Sequence, residues 1–349
     1  MLGNMKKKVF VGMSGGVDSS VTAALLLERG YDVEGINLIL SPKDDGRASR
    51  DAEAVAKKLG IPFHVINLQK EFEEKVIDYF VNEYLNGRTP NPCIRCNETI
   101  KFGLLLDKAL EMGADYIATG HYARITESFG KYKLERTPSS KDQTYFLNRL
   151  TQKQLAHTLF PVCEFEKEDT REVARRFDLP VAEKHDSQEI CFIPDNDYAR
   201  FILERIDKEP EKGNFVDLDG NVLGEHKGIL YYTIGQRKGL GIAFGEPMFV
   251  TEIRPKTNEV VLAPNGHQLR KSFVVTDMNY IYMTHPISTE VNLDVKIRCQ
   301  AKPERARIIP LTADSLKIEF YEPQRAVTPG QAAVLYDGNT VIGGGYISI

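Results

Sequence analysis

The sequence predicts a doubly wound α/β domain on a parallel sheet, followed by a small β-rich central domain and a C-terminal β-barrel. Three observations carry this. A short apolar strand, a glycine turn and a helix follow one another between Lys8 and Arg29. Strand and helix patterns then alternate to about residue 120, the signature of βαβ units. After about residue 208 the composition changes to Gly, Asp, Asn and β-branched residues, with the recurring turn signals of all-β units. The expected divisions are residues 1–207, 208–272 and 273–349.

Taken in order, Lys8–Met13 reads as a buried strand, bulky and β-branched, stopped by Gly12. A helix from about Asp18 to Arg29 places Val21, Ala24 and Leu25 on one face. Asp32–Leu40 is a second strand, and Ala48, Ala52, Val55, Ala56 and Leu59 line a helix ending at Gly60. Pro62–Leu68 is a third strand. Phe72, Val76, Phe80 and Tyr84 recur every four residues and mark a longer helix. The prolines of Gly87–Asn97 predict an irregular loop there. Phe102, Leu105, Leu106 and Ala109 mark the next helix, and Tyr116–Thr119 a strand. A hairpin is expected at 122–136, a polar loop at Lys141-Asp142-Gln143, and short helices near Gln152–His157 and Lys167–Phe177. The two β units are expected to part near residues 270–280.

Ser14-Gly15-Gly16-Val17-Asp18-Ser19 joins the first strand to the first helix. Glycines let backbone N–H groups turn toward a ligand, and a helix N-terminus offers unpaired N–H groups and a positive dipole end. The loop therefore predicts an anion site. Asp18, acidic in a place suited to anions, predicts a metal ion such as Mg²⁺ between it and phosphate. No Walker A lysine and no G-x-G-x-x-G pattern is present.

The 349 residues carry a net charge of −4, which argues against a generally sticky nucleic-acid binder but permits a local basic face. No apolar run is long enough for a signal peptide or a membrane helix. The five cysteines, an odd number with no secretory signal, predict a reducing compartment and thiol chemistry.

These motifs resemble a known family along nearly the whole chain. Ser14-Gly-Gly-Val-Asp-Ser19 is similar to the PP-loop of the ATP pyrophosphatases, which split ATP between the α and β phosphates and adenylate a carbonyl oxygen. Combined with Thr89-Pro-Asn-Pro-Cys-Ile-Arg-Cys-Asn97, Ala118-Thr-Gly-His-Tyr122, Lys141-Asp-Gln-Thr-Tyr145, Asp186-Ser-Gln-Glu-Ile-Cys-Phe192, Thr233-Ile-Gly-Gln-Arg-Lys-Gly-Leu-Gly241 and Thr328-Pro-Gly-Gln-Ala332, it resembles the tRNA-specific 2-thiouridylases, the MnmA/TrmU family. The resemblance implies ATP-dependent replacement of the C2 oxygen of a wobble uridine by sulfur. Implied with it are ATP, Mg²⁺, tRNA and a sulfur-donor protein carrying a persulfide, in a cytoplasmic monomer with no membrane contact.

By the same resemblance Cys191 carries the persulfide and Cys96 is its catalytic partner. Gly12, Met13, Ser14, Gly15, Gly16, Val17, Asp18 and Ser19 match the ATP loop, with Leu38 and Gly120 at the adenosine side. Asn91, Pro92 and Cys93 match the segment that meets the target base. His121, Lys141, Asp142, Gln143, Arg298, Cys299 and Gln331 match positions that touch the tRNA.

Other readings stand beside these. Many members have Asp where this chain has Cys93, so Cys93, Cys96 and Cys191 could instead hold a [4Fe–4S] cluster. Cys93-x-x-Cys96 alone could be half of a zinc site, but no second Cys or His pair completes it. Cys191, between Ile190 and Phe192, could be a buried structural thiol, and His121 could cap a strand. Another PP-loop ligase or amidotransferase would need no reactive cysteine pair. A decayed, non-catalytic RNA binder would not convert ATP to AMP. Lys296, Arg298, Lys302, Arg305 and Arg307 form a basic run that is either a solvated strand face or a phosphate-tracking patch. Gly235 to Gly241 is either a flexible hairpin tip or, through Gln236, Arg237 and Lys238, a second place for RNA contact.

Overall fold

β1 (Lys8–Gly12) is buried through Val9, Phe10 and Val11, as a central parallel strand must be on both faces. The computed structural model describes residues 6–41, 45–184, 190–242, 245–283 and 285–348; Asp186–Glu189 of the second cysteine motif lie outside them. β2 (Asp32–Ile39) and β3 (Phe63–Asn67) extend the sheet on one side of β1, and β4 (Tyr116–Ala118) lies on the other. Gly12 pairs with Ile36 and Val11 with Ala118. The carboxyl ends of β1, β2 and β4 therefore open into one crevice where the strand order reverses, the place such sheets bind ligands.

α1 (Val17–Glu28) is buried around nearly its whole circumference. α2 (Arg47–Leu59) buries only Ala52, Val55 and Ala56 and ends at Gly60, whose φ of 68° closes the helix in the left-handed region. Residues 69–85 form one helix with a π turn at Glu73–Ile77. The segment expected as a loop is in fact helical from Pro92 to Cys96 and continues through a π segment, Asn97–Leu104, to Leu105–Glu111. The reason is positional. Pro92 stands at the first helical residue, where its missing N–H costs nothing, and Asn91 caps the start by accepting the Cys93 N–H at 3.1 Å.

β5 (Arg124–Ser128) and β6 (Lys131–Glu135) form the expected hairpin. β7 (Thr158–Leu159) completes the parallel sheet beside β4. β8 (Gly213–Val216), β9 (Val222–His226), β10 (Met248–Arg254) and β11 (Glu259–Pro264) make the central four-stranded sheet around Phe215, Val250 and Val260. β12 (Leu269–Tyr280), β13 (Val291–Lys296), β14 (Glu304–Thr312), β15 (Ser315–Arg325), β16 (Ala332–Asp337) and β17 (Thr340–Ser348) form the C-terminal barrel, closed by pairing of β12 with β17. β12 runs unbroken where a break was expected; irregularities between Arg270 and Ser272 and between Thr276 and Asn279 bend it between its two partners instead. β6 joins the barrel through the pairing of Thr340 with Glu135.

Candidate active site

The loop after β1 is shaped by two close approaches. Gly15 has φ +71°, and a Cβ there would lie 2.4 Å from the carbonyl oxygen of Ala48. Gly120, after β4, sits so close to the start of α1 that a Cβ would lie 2.7 Å from the Asp18 carbonyl carbon and the Ser19 nitrogen. The Ser14 N–H donates to Ser19 Oγ at 3.2 Å, and the Ser19 hydroxyl donates to the Gly16 carbonyl at 3.2 Å. Gly16 caps α1 without a side-chain partner, leaving first-turn N–H groups for a ligand. Asn37, 3% exposed, donates to the Met13 carbonyl at 2.7 Å, while its own Oδ1 has no partner among the described residues. Leu38 follows on β2, half-buried.

Two lysines supply the cationic groups this loop lacks in sequence. Lys167, at the start of the helix Lys167–Arg176, places Nζ 2.8 and 2.9 Å from the two Asp18 carboxylate oxygens, 149 residues away. The Tyr122 hydroxyl donates to the same carboxylate at 2.8 Å. Lys184 donates to the Gly15 carbonyl at 2.9 Å and to Asp51. Asp18 is thus held by an ammonium group rather than standing free for a metal. Nothing local in the sequence signals either lysine.

Cys93 and Cys96 stand on the helix Pro92–Cys96. Cys96 is buried in an apolar cluster with Phe72, Phe80, Ile100 and Phe192. Phe192 contacts the rings of Phe72, Phe80 and Phe201 at 5.7, 5.5 and 5.1 Å. A turn closed by the Ile193 N–H on the Ile190 carbonyl at 2.8 Å presents Cys191, exposed, beside that anchor. Cys93 is also exposed. The charge state of Cys93 bears on Cys191, and that of Cys299 on Cys93. Burial pushes the Cys191 thiol up to about 11 and the Cys96 thiol to about 12. Among the described residues no three Cys, His, Asp or Glu side chains gather to hold a metal ion. Cys93, Cys96 and Cys191 are not part of any such group.

Lys101 was not anticipated. Its charge reaches Cys93, Cys96 and Cys191 and opposes the upward push of burial on each. It stands five residues after Cys96, which on an ordinary α-helix would turn it well away. The π segment Asn97–Leu104, with its i to i+5 bonding, brings residues five apart onto one face. A raised thiol pKa leaves little thiolate near neutrality, so alkylation of Cys191 should accelerate about tenfold per pH unit until the pH nears the thiol's pKa. Lys101→Met removes the one lowering charge. It should raise the thiol pKa further and slow alkylation several-fold at fixed pH, with no change in helix content. An unaltered pH–rate profile would show that Lys101 does not act on the thiols.

The remaining expected residues fall into two groups. His121 packs between Phe102 and Phe160 at 5.7 and 5.8 Å, bonds Thr119 Oγ1 at 2.7 Å, and is held neutral chiefly by burial. Asp142 accepts from the Thr137 N–H and the Thr144 hydroxyl, and Gln143 accepts from the Tyr122 N–H, so both brace their loop. Gln331 donates to the Thr89 carbonyl at 2.8 Å, tying the barrel to the strand of chain that leads into Asn91 and Pro92. Lys141 and Arg298 are exposed, and Cys299 is half-buried. The basic run is mostly satisfied internally. Lys296 is buried over the Tyr145 ring, Arg305 pairs with Asp294, and Arg307 pairs with Glu290 and Glu319.

Family models match the chain throughout: a tRNA methyl transferase HUP domain over residues 7–195, a tRNA methyl transferase PRC-barrel domain over 199–264 and an aminomethyltransferase beta-barrel domain over 270–347. The chain is 51% identical to the tRNA-specific 2-thiouridylase MnmA of Clostridioides difficile (strain 630), over 98% of each chain. It is 51% identical to the enzyme of the same name from Carboxydothermus hydrogenoformans, over 98% of each chain. The Clostridium perfringens (strain 13) enzyme of that name is 50% identical, again over 98% of each.

Proposed function

The chain belongs to the family of the tRNA-specific 2-thiouridylases, and from that premise we infer that it is a tRNA-uridine 2-sulfurtransferase driven by ATP. What supports the reading at the level of mechanism is that Cys96 shares one apolar cluster with Ile190, Phe192 and Ile193, the neighbours of Cys191.

A uracil carbonyl oxygen is a very poor leaving group. Attack of that oxygen on the α phosphate of ATP gives an adenylated base and releases pyrophosphate. The backbone N–H groups of the loop and of the first turn of α1 face the phosphates. Lys167 and Lys184, the two ammonium groups at the loop, offset charge that a Walker lysine offsets elsewhere. Mg²⁺ would arrive on ATP rather than in a site held by the protein, because Asp18, the acidic residue in the first turn of α1, is already paired with Lys167. When bound it supplies charge neutralisation at the phosphates.

The sulfur step balances as follows. The outer sulfur of a Cys191 persulfide attacks C2, and AMP leaves with the original oxygen. The Cys96 thiolate attacks Cys191 Sγ, breaking its bond to the transferred sulfur. C2 keeps that sulfur, and a Cys96–Cys191 disulfide forms. An external dithiol must reduce the disulfide before the next turnover, and a persulfide-carrying protein reloads Cys191. A persulfide is more acidic than a thiol. Burial that suppresses an idle Cys191 thiolate therefore still permits an ionised persulfide.

The deciding experiment is thiolation of unmodified tRNA by protein purified without air, with a persulfide donor and ATP. AMP, pyrophosphate and 2-thiouridine should form in equal amounts with no iron in the protein. About four irons per chain, with activity that tracks them, would overturn the persulfide route. The runner-up ligase class would form AMP without any thiouridine.

A further inference from the structure

Gln236, Arg237 and Lys238 take no part in the chemistry above, yet they line a recess of about 740 Å³. Its wall continues through Phe249 on β10 and Asn265 after β11, and crosses to Arg325 at the end of β15 in the barrel. The seam between the two domains is tight here. Gly235 has φ +88°, and a Cβ on it would lie 2.8 Å from the Ala326 Cβ. The turn is held from within: Gln236 accepts from the Thr233 N–H at 3.0 Å and donates to the Lys238 carbonyl at 3.0 Å. That leaves Arg237 and Lys238 exposed at the rim. The Arg325 guanidinium rests over the Phe249 ring at 5.7 Å.

Among the described residues no acidic side chain lines the recess. Among the described residues Arg237, Lys238 and Arg325 form no ion pair, whereas Arg254 nearby on β10 pairs with Glu252 and Glu259, and Arg307 on β14 pairs with Glu290 and Glu319. Three unpaired cations facing one concavity focus a positive potential into it. They repel one another until an anion with more than one charge arrives. The same seam braces the catalytic helix: the Thr89 hydroxyl meets Thr233 at 3.4 Å, and the Thr89 N–H donates to the Pro329 carbonyl at 2.9 Å.

We propose that this recess grips consecutive phosphodiesters of the tRNA backbone, with Arg237 and Lys238 on one side and Arg325 on the other. It rests on the reading of the protein as a tRNA-modifying enzyme and adds a binding site to it. A strand held across the seam fixes both β domains against the RNA and leaves the base-modifying crevice free.

The test is tRNA binding by the Arg237→Gln/Lys238→Gln double variant and, separately, by Arg325→Gln, over a salt titration. Binding by the double variant should weaken about tenfold, with a log–log salt slope shallower by roughly 1–2. Thiolation at saturating tRNA should be retained. Arg237 and Lys238 make no packing contact on which the fold depends, so this variant stays informative even if Arg325→Gln, which loses its contact with Phe249, lowers the melting temperature. Affinity and slope equal to those of the unaltered protein would overturn the site. Failure of the unaltered protein to bind tRNA would instead overturn the functional reading on which the site rests.

Discussion

Cys191→Ser should abolish tRNA thiolation, by about a thousandfold or more, while ATP-dependent release of pyrophosphate on tRNA continues. The split follows from where the two halves of the chemistry reside. In the proposed mechanism adenylation uses the loop after β1, the start of α1 and the lysines around Asp18. Sulfur transfer, in the same mechanism, uses the turn that Phe192 pins into the aromatic cluster. Serine keeps the size and the exposed position of Cys191, so the anchor, the fold and the nucleotide site should be unchanged. It cannot carry a transferable sulfur. Cys96→Ser should differ in kind. It leaves Cys191 able to load a persulfide but removes the group that cleaves it from the product, so the RNA should accumulate as a mixed disulfide with Cys191 that dithiothreitol releases. Normal thiolation by Cys191→Ser would return Cys191 to the bland reading of a structural thiol. It would also reopen the class of PP-loop enzymes that are indifferent to thiol alkylation.

The parts of this site that can be read in the sequence are those set by local geometry. Ser14 to Ser19 names its own turn, because glycines between a β-branched run and a helical pattern admit few conformations. Cys93 and Cys96 declare themselves by spacing. What stays hidden depends on long-range folding or on helix register. Lys167 and Lys184 reach the loop from 149 and 169 residues away. No pattern of alternation or periodicity marks an exposed-looking lysine as the partner of an anion site. Lys101 escapes because a 3.6-residue reading assigns it to the wrong face, and the π segment that corrects its position leaves no compositional trace. The prolines of residues 90–92 mislead for a related reason: proline opposes a helix interior but favours its first residue. In the basic run, sequence shows the cations of β13 and β14 but not the acids that strand pairing sets beside them.

Gly120→Ala tests the other half of the site, and its expected effect is on nucleotide binding rather than sulfur. Gly120 has an ordinary φ, so alanine brings no backbone strain of the left-handed kind. The whole cost is collision. The new methyl would lie 2.7 Å from the Asp18 carbonyl carbon and the Ser19 nitrogen, both backbone atoms of the first turn of α1. Backbone held in a buried helix cannot move aside as a flexible side chain would, and overpacking of this sort costs about 1–3 kcal/mol. Relief must come from shifting β4 away from α1, and that widens the crevice proposed to hold the phosphates. At about 1.4 kcal/mol per tenfold change, ATP affinity should fall roughly 10- to 100-fold. The tRNA surfaces on the β domains do not touch Gly120, so RNA affinity should be unchanged, and so should alkylation of Cys191. Titration calorimetry with a non-hydrolysable ATP analogue reads the first, a filter assay the second, and mass spectrometry of the alkylated protein the third. Full ATP affinity in Gly120→Ala would show that the nucleotide does not lie between β4 and α1. The case for Lys167 and Lys184 as its counter-charges would then fall with it, because both stand at the same turn.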